Sequence, residues 1–138
     1  MRTEAQILKN SKTIAIVGLS ADPERPSYNV GKYLKAHGYK IIPVNPNEKR
    51  VLGLKSYPDL VSIPAKIDAV DIFRRSEDVR PIVREAIKAG AKAVWMQEGV
   101  INEEAAAEAR KAGLKVVMDR CMYKEHVKLS GPKDSPSK

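Results

Sequence analysis

The sequence is poor in the residues on which secreted and membrane proteins depend. Its single cysteine, Cys121, excludes an internal disulfide framework and indicates a reducing compartment. No apolar run comes near the roughly 20 residues that a membrane-spanning helix requires. Residues 1–4 carry none of the apolar core of a signal peptide. We therefore expect a cytoplasmic protein that does not enter a membrane.

Aromatic residues are equally scarce, and this bears on nucleic-acid binding. The chain has one Phe and one Trp, too few to build the stacking platforms that hold single-stranded nucleic acid. A helix-turn-helix pattern is also missing. The net charge is +8, but most lysines are scattered among glutamates, as on a well-solvated surface. Nucleic acid is therefore a disfavoured partner.

With 138 residues, the chain has the length of one domain with a full hydrophobic core. We expect that single domain to span residues 1–130. Residues 131–138 contain proline, serine and charged residues but no apolar side chain. That composition is typical of a disordered tail.

Apolar runs alternate with helical patterns along the chain. Five short runs rich in Val and Ile have the composition of buried parallel strands; they lie at residues 14–17, 41–44, 69–73, 93–96 and 116–118. The alternation predicts an α/β fold, a Rossmann-like doubly wound parallel five-stranded sheet in three α/β/α layers. Right-handed crossovers favour the strand order 3-2-1-4-5, with the first strand central.

Glycines and capping residues bound the predicted helices. Helical spacing over residues 29–37 ends at Gly38, a residue suited to terminate a helix. Residues 76–89 follow a predicted cap at Ser76, and residues 102–112 a cap at Asn102. Two shorter helices are expected, one over residues 2–10 and one between loops within residues 53–63.

Polar and cationic residues collect where the predicted strands end. Ligands of open α/β sheets bind beyond the carboxyl ends of the strands, so these positions are the natural place for a site. Glycine, hydroxyl, amide and arginine groups suit a phosphate-bearing ligand. The candidates are Gly18, Leu19, Ser20, Arg25 and Ser27 after the first strand, Asn45, Pro46 and Lys49 after the second, Phe73, Arg74 and Arg75 at the third, Gln97 and Gly99 after the fourth, and Cys121 after the fifth.

Two common nucleotide sites do not fit this pattern. A P-loop needs Gly-Lys-Ser/Thr, which does not follow Gly18, so a nucleotide hydrolase is not expected. A dinucleotide site needs a second glycine where Ser20 stands, and an acidic residue at the end of the second strand, which reads Asn45-Pro46. NAD is thereby disfavoured. The basic pair at residues 49–50 could hold a 2′-phosphate, so NADP stays an alternative ligand.

Together, these strand-end motifs resemble those of the small stand-alone CoA-binding proteins, whose fold is similar to the CoA-binding domain of the succinyl-CoA synthetase α subunit. The motifs are IVGLS at 16–20, RPS at 25–27, PVNP at 43–46, DIFRR at 71–75, WMQEG at 95–99 and MDRC at 118–121. The resemblance extends over residues 5–128. It implies a Rossmann-like domain that binds coenzyme A, with no catalytic activity or catalytic residue assigned.

Coenzyme A carries a pyrophosphate and a 3′-phosphate, so it needs both a backbone anion cradle and cations. Residues 18–20 and the start of the first long helix would hold the pyrophosphate. Ser20 and Ser27 would donate hydroxyls to it, and Arg25 would close over it.

The rest of the ligand would lie along the other strand ends. Residues 45–46 and Lys49 would flank the adenosine and its 3′-phosphate. Residues 73–74 would meet the adenine or the adjoining ribose. Arg75 and Gln97 would border the exit of the pantetheine arm.

Cys121 follows the fifth strand, close in sequence to cationic residues, and has two interpretations. A thiol there would form a mixed disulfide with the thiol of CoA. The simpler interpretation is a small residue that closes the sheet edge. His126 and Glu125 do not complete a ligand set, so no metal site is predicted.

Three functions stay open at this point. The first is a non-catalytic CoA-binding protein. The second is an enzyme, or the subunit of an enzyme, that handles acyl-CoA; the phosphorylated-histidine loop and the ATP-binding region of the synthetases are missing, so ligase chemistry has no support. The third is an NAD(P)- or nucleotide-sensing regulator. Pairing of two chains into a homodimer is also left open.

Overall fold

A parallel sheet with helices on both faces forms the centre of the molecule. The computed structural model describes the backbone of residues 2–134 and the side chains of residues 2–129. Its helices are α1 (Thr3–Asn10), α2 (Pro26–Ala36), α3 (Val79–Lys88), α4 (Glu103–Lys111) and α5 (Met122–Asp134), with a 3-10 turn at Ser76–Asp78. Its strands are β1 (Thr13–Val17), β2 (Lys40–Val44), β3 (Arg50–Val51), β4 (Leu54–Lys55), β5 (Ala69–Ile72), β6 (Ala93–Met96) and β7 (Lys115–Val117).

The five longer strands make one parallel sheet in the order β2-β1-β5-β6-β7. This confirms the predicted α/β class and the doubly wound, three-layer architecture. The predicted order 3-2-1-4-5 is wrong, because β5, the third of the predicted strands, pairs with β1 from Ile14↔Ala69 to Val17↔Ile72. Counted as in the prediction, the order is 2-1-3-4-5.

Asp68 accounts for the position of β5 beside β1. Its Oδ2 accepts hydrogen bonds from the backbone N–H groups of Lys12 at 2.8 Å and Thr13 at 2.9 Å. Its own N–H donates to the carbonyl of Thr13 at 3.0 Å. These contacts hold the start of β5 against the start of β1, so the chain leaves β2 at the edge and crosses over β1.

The helix predicted within residues 53–63 is also wrong. The segment begins instead in a two-stranded antiparallel ribbon, β3 and β4, whose turn residues Leu52 and Gly53 have φ +56° and +75°. Two successive residues with positive φ are the mark of a tight hairpin turn. Beyond the ribbon, Leu60, Ile63 and Ile67 pack into the core beneath the sheet, where a crossover helix would otherwise lie.

Alternate residues of β1 supply two separate apolar layers. Ile14 and Ile16 pack with buried residues of α1, α2 and α5. Ala15 and Val17 pack with buried residues of α3 and α4 and with the segment after β4. This is the pattern expected of a strand that is covered on both faces.

Two predicted helix caps have different outcomes. Asn102 is confirmed as the cap of α4, since its Oδ1 accepts from the N–H of Ala105 at 2.9 Å. The cap predicted at Ser76 is wrong, because its Oγ accepts from the N–H of Ile101, in the loop before α4.

The last helix extends into the segment that was predicted to be a disordered tail. α5 ends at Asp134 and so includes residues 131–134 of the expected tail, while residues 135–138 lie outside the described residues.

Within the described part of the chain, no helix combines the length and the apolar character needed to cross a membrane.

Candidate functional site

A cavity of about 600 Å³ opens at the carboxyl ends of the strands. Its volume is in the range of small-molecule sites. It is lined by Arg25, Pro26, Val30, Phe73, Arg74, Arg75, Asp78, Gln97, Glu98, Val100 and Cys121. The structure therefore brings six of the predicted residues around one space: Arg25, Phe73, Arg74, Arg75, Gln97 and Cys121.

Gly18 ends β1 at a point where no side chain fits. Its φ is +90°, and a Cβ built on it would lie 2.2 Å from the carbonyl oxygen of Phe73 and 2.7 Å from Nη1 of Arg74. Its N–H donates to the carbonyl of Val44 at 2.8 Å. The glycine thus brings the ends of β1, β2 and β5 together and leaves room for the guanidinium.

The loop after Gly18 is held by its own serines. Oγ of Ser27, a residue only 5% exposed, accepts from the N–H of Ser20 at 3.0 Å. Oγ of Ser20 accepts from the N–H of Asp22 at 3.0 Å. Both hydroxyls act as acceptors in these bonds, so their protons remain to be donated. The side chain of Leu19 is fully buried in the core, so only the backbone of this residue can contact a ligand.

The three residues predicted after β2 have different surroundings. Asn45 uses its side chain within the protein: Nδ2 donates to the carbonyl of Leu19 at 3.0 Å, and Oδ1 accepts from the N–H of Asn47 at 3.0 Å. Pro46 lines a smaller cavity of about 190 Å³ that Arg74 also lines. Lys49 is exposed and lines neither of these cavities.

The consecutive arginines after β5 are not equivalent. Nε of Arg75 lies 3.2 Å from Oδ2 of Asp78 and 3.8 Å from Oε2 of Glu77, and the side chain is 76% exposed. Arg74 is less exposed, and its side chain has no hydrogen bond or ion pair with any other described residue. Because it lines both cavities, Arg74 is the one of these two arginines that is free to meet an anion.

Gln97 connects the cavity wall to the start of α5. It is 5% exposed, and its Oε1 accepts from the N–H of Met122 at 3.0 Å. That bond identifies which side-chain atom is the oxygen, and it leaves the Nε2 amide hydrogens without a partner among the described residues. Cys121 immediately precedes α5 and lines the same wall.

Gly99 lies just outside the cavity lining. Its N–H donates to Oδ1 of Asp119 at 2.8 Å, so this predicted residue joins two strand-end loops rather than offering its N–H to a ligand. Its neighbour Glu98 lines the cavity and binds Nζ of Lys124 at 3.0 Å. The hydrogen bond with Glu98 raises the pKa of Lys124.

Sequence reasoning did not single out Asp71. This residue lies in the middle of β5, is completely buried, and has no hydrogen-bond partner for either carboxylate oxygen among the described residues. Burial raises the pKa of Asp71 well above its usual range. An aspartate inside a run of apolar strand residues is the signal that could have identified it.

The described residues offer no ligand set for a metal. No group of three or more His, Cys, Asp or Glu side chains comes together among them. His126 instead pairs through Nδ1 with the hydroxyl of Tyr33 at 2.7 Å. Burial and the nearby His37 lower the pKa of His126.

Known proteins show similarity over almost the whole chain. The model of a family described as "CoA binding domain" matches residues 12–127. The protein YneT of Bacillus subtilis (strain 168) is 42% identical over 121 residues, which cover 88% of this chain and 90% of YneT. A solved structure of a hypothetical protein from Pyrococcus horikoshii OT3 has a TM-score of 0.90 and 45% identity, and covers 94% of this chain and 92% of that one.

A longer enzyme contains a similar region. Acetate–CoA ligase (ADP-forming) II of Archaeoglobus fulgidus is 32% identical over 125 residues. The match covers 88% of this chain but only 18% of the ligase. The similarity therefore concerns one region of that enzyme, and the region lines up with the sheet and the strand ends described above.

Proposed function

The chain belongs to the CoA binding domain family, and we propose that it is a non-catalytic protein that binds coenzyme A at the carboxyl edge of its sheet. The observation that carries this proposal is Arg74. It lies against Gly18, and its side chain has no partner among the described residues. A cation held in this way beside a glycine loop suits a phosphate group.

The pyrophosphate would lie over the loop from Gly18 to Ser27. Backbone N–H groups at a strand end and at the N-terminus of α2 favour an anion. The hydroxyl protons of Ser20 and Ser27 are available because both oxygens already accept bonds within the loop. Arg25 and Arg74 would neutralise the charge from two sides, since both line the cavity.

The adenosine would extend toward the end of β2. Pro46 and Arg74 line the smaller cavity there, which suits the flat face of a base or a ribose. Lys49 is exposed three residues after Pro46 and would meet the 3′-phosphate. Asn45 would act indirectly, because its side chain links the loop after β1 to the loop after β2.

The pantetheine arm would pass over the ends of β5 and β6. Phe73 offers an apolar surface, and Nε2 of Gln97 offers a donor to an amide carbonyl of the arm. Arg75 lies on the same cavity wall, but its charge is shared with Asp78. We therefore expect Arg75 to contribute less to binding than Arg74.

Ligase chemistry does not form part of this proposal. The Archaeoglobus enzyme is named for a reaction of the whole protein, and this chain spans 18% of it. The features that support the proposal, a loop glycine, an unpaired arginine and an amide donor at the cavity wall, are groups that bind. Holding CoA is thus the function that the site supports best.

Calorimetric titration of the full chain with CoA, acetyl-CoA, NAD, NADP and ATP tests the proposal. We expect the CoA compounds to bind and the other nucleotides to bind at least roughly tenfold more weakly. Arg74→Ala should weaken CoA binding by roughly tenfold or more, as for the loss of a charge-assisted hydrogen bond. Arg110→Ala removes the same charge from the exposed end of α4 and should leave the affinity unchanged. Selective binding of NAD or NADP would contradict the proposal and favour a nucleotide-sensing regulator.

A further inference from the structure

The cavity has a cationic part and a thiol. Arg25 and Arg74 line it near the ends of β1 and β5, whereas Gln97 and Cys121 line it near the ends of β6 and β7. From β1 to β7 there are three strand spacings, or about 14 Å. A ligand whose phosphates lie beside Arg25 and Arg74 and whose arm crosses the sheet edge therefore ends near Cys121.

Gln97 gives a second reason to place the arm at this wall. The residue is 5% exposed, lines the cavity, and has Nε2 hydrogens without a partner among the described residues. These hydrogens are not among the buried groups that lack a partner, so they are accessible and can be donated to a ligand. An arm with amide carbonyls would accept them. Because Oε1 of Gln97 binds the N–H of Met122, that arm would pass directly beside Cys121.

The surroundings of Cys121 suit thiol chemistry. The residue stands at the N-terminus of α5, a helix of 13 residues, and its carbonyl accepts from the N–H of Glu125 at 2.9 Å. Cys121 is partly exposed and lines the cavity, as thiol–disulfide exchange requires. Lys124 is the third residue of the same helix, and its charge is shared with Glu98.

We infer that Cys121 forms a mixed disulfide with the pantetheine sulfur of CoA, an inference that rests on the proposed CoA binding. The reactant is the symmetrical disulfide of CoA. The thiolate of Cys121 attacks one of its sulfurs, and the existing S–S bond breaks as the new one forms. The second CoA leaves as a thiolate and takes up a proton, which balances the proton that Cys121 has lost. Cys121 is oxidised and the departing CoA is reduced, so no other oxidant is required.

The consequence is a protein that stores CoA as a covalent adduct. A CoA molecule bound in this way has no free thiol to oxidise further or to accept an acyl group. A small thiol in the surrounding solution can release it by the same exchange run in reverse. Reduced CoA binds non-covalently at the same site.

Intact mass measurement after incubation with CoA disulfide tests the inference. We expect one added CoA on the wild-type chain, its removal by dithiothreitol, and no addition to Cys121→Ser. Because any accessible thiol exchanges slowly, the decisive quantity is a ratio of rates. That ratio is the rate of reaction with CoA disulfide divided by the rate with pantethine, which has the same arm and disulfide but lacks the nucleotide. The same ratio measured for N-acetylcysteine amide gives the baseline for a thiol with no binding site. We expect the protein's ratio to exceed that baseline by roughly tenfold or more, because binding positions the reacting sulfur.

Two variants complete the test. Arg74→Ala should bring the ratio back toward the baseline, whereas Arg110→Ala should not change it. An absent adduct, or a wild-type ratio equal to the baseline, overturns the inference. Calorimetry of Cys121→Ser with reduced CoA separates the two proposals, because it measures non-covalent binding in a chain without a thiol. CoA binding in that variant without a preferential adduct in the wild type overturns the disulfide alone; no binding in either chain overturns the proposed function.

Discussion

Nη1 of Arg74 lies so close to the backbone of Gly18 that a Cβ at position 18 would be only 2.7 Å from it. The same Cβ would lie 2.2 Å from the carbonyl oxygen of Phe73. The glycine and the arginine therefore form one structural unit, since the missing side chain is what lets the guanidinium reach the end of β1. This contact places the side chain of Arg74 beside the loop that we propose to hold the pyrophosphate.

Gly18→Ala should destabilise the fold and abolish CoA binding. Its Cβ must displace a backbone carbonyl, and alanine must also adopt φ +90°. We expect a loss of about 3 kcal/mol in the free energy of unfolding, from overpacking and backbone strain together. Gly113→Ala is the matched control, because Gly113 has φ +93° but nothing within 4 Å of its Cβ. That variant should lose about 1 kcal/mol, and equal losses in urea unfolding of the two variants would refute the role of the contact.

Asp71 should make the stability of the protein fall as the pH rises. Burial raises the pKa of this carboxyl in the folded state, so the folded chain keeps a proton that the unfolded chain releases above about pH 4. The favourable contribution of that proton is complete at lower pH and is lost as the pH rises through the folded pKa.

Comparison of the wild type with Asp71→Asn isolates this effect, because the other titratable groups are common to both chains. The unfolding free energy of the wild type, minus that of the variant, should decrease between pH 4 and pH 8, by at most about 1.4 kcal/mol for each pH unit. Urea unfolding at several pH values measures the difference. Parallel pH profiles would mean that Asp71 does not hold its proton in the folded state.

Asp68, three residues earlier, should have the opposite effect on the pH dependence of stability. Burial alone would raise the pKa of its carboxyl, but hydrogen bonds from the backbone N–H groups of Thr13 and Lys12 outweigh burial and lower the pKa. The stability that Asp68 contributes is therefore present above about pH 4 and is lost as the pH falls through the folded pKa. Asp68→Asn should destabilise the chain at pH 7 and should approach the wild type in acid. A destabilisation that is constant from pH 7 down to pH 3 would exclude the charge as its cause.

The position of Asp68 also explains why the strands were predictable and their order was not. Buried parallel strands are short runs of Val and Ile bounded by polar residues, and this local pattern is visible in the sequence. Which strand lies beside which depends on contacts such as the one between Asp68 and Thr13, which are 55 residues apart. Composition does not encode that pairing. The ribbon of β3 and β4 was missed for a related reason, because Leu52 adopts a positive φ that is unusual for its residue type.

The candidate site shows the same division between local pattern and long-range geometry. The sequence places Arg74 and Arg75 together at a strand end, and both are followed by acidic residues. Only the folded chain shows that Arg75 pairs with Asp78 while Arg74 turns toward Gly18. The burial of Asp71 is likewise a property of the assembled sheet. The types of residue at the edge were therefore predictable, but the availability of each one was not.

A comparison of CoA with dephospho-CoA, which lacks the 3′-phosphate, should show which phosphate each cation meets. Because Arg74 lies against Gly18, we expect it to meet the pyrophosphate. Arg74→Ala should therefore lower the affinities for CoA and for dephospho-CoA by the same factor of roughly ten. Lys49 is exposed beyond β2, and we expect it to meet the 3′-phosphate. Lys49→Ala should then weaken the binding of CoA by at most about fivefold, as for a solvent-exposed charge pair, and should leave the binding of dephospho-CoA unaffected. If Arg74→Ala instead removed the preference for CoA over dephospho-CoA, the adenosine and the pyrophosphate would have to exchange places along the sheet edge.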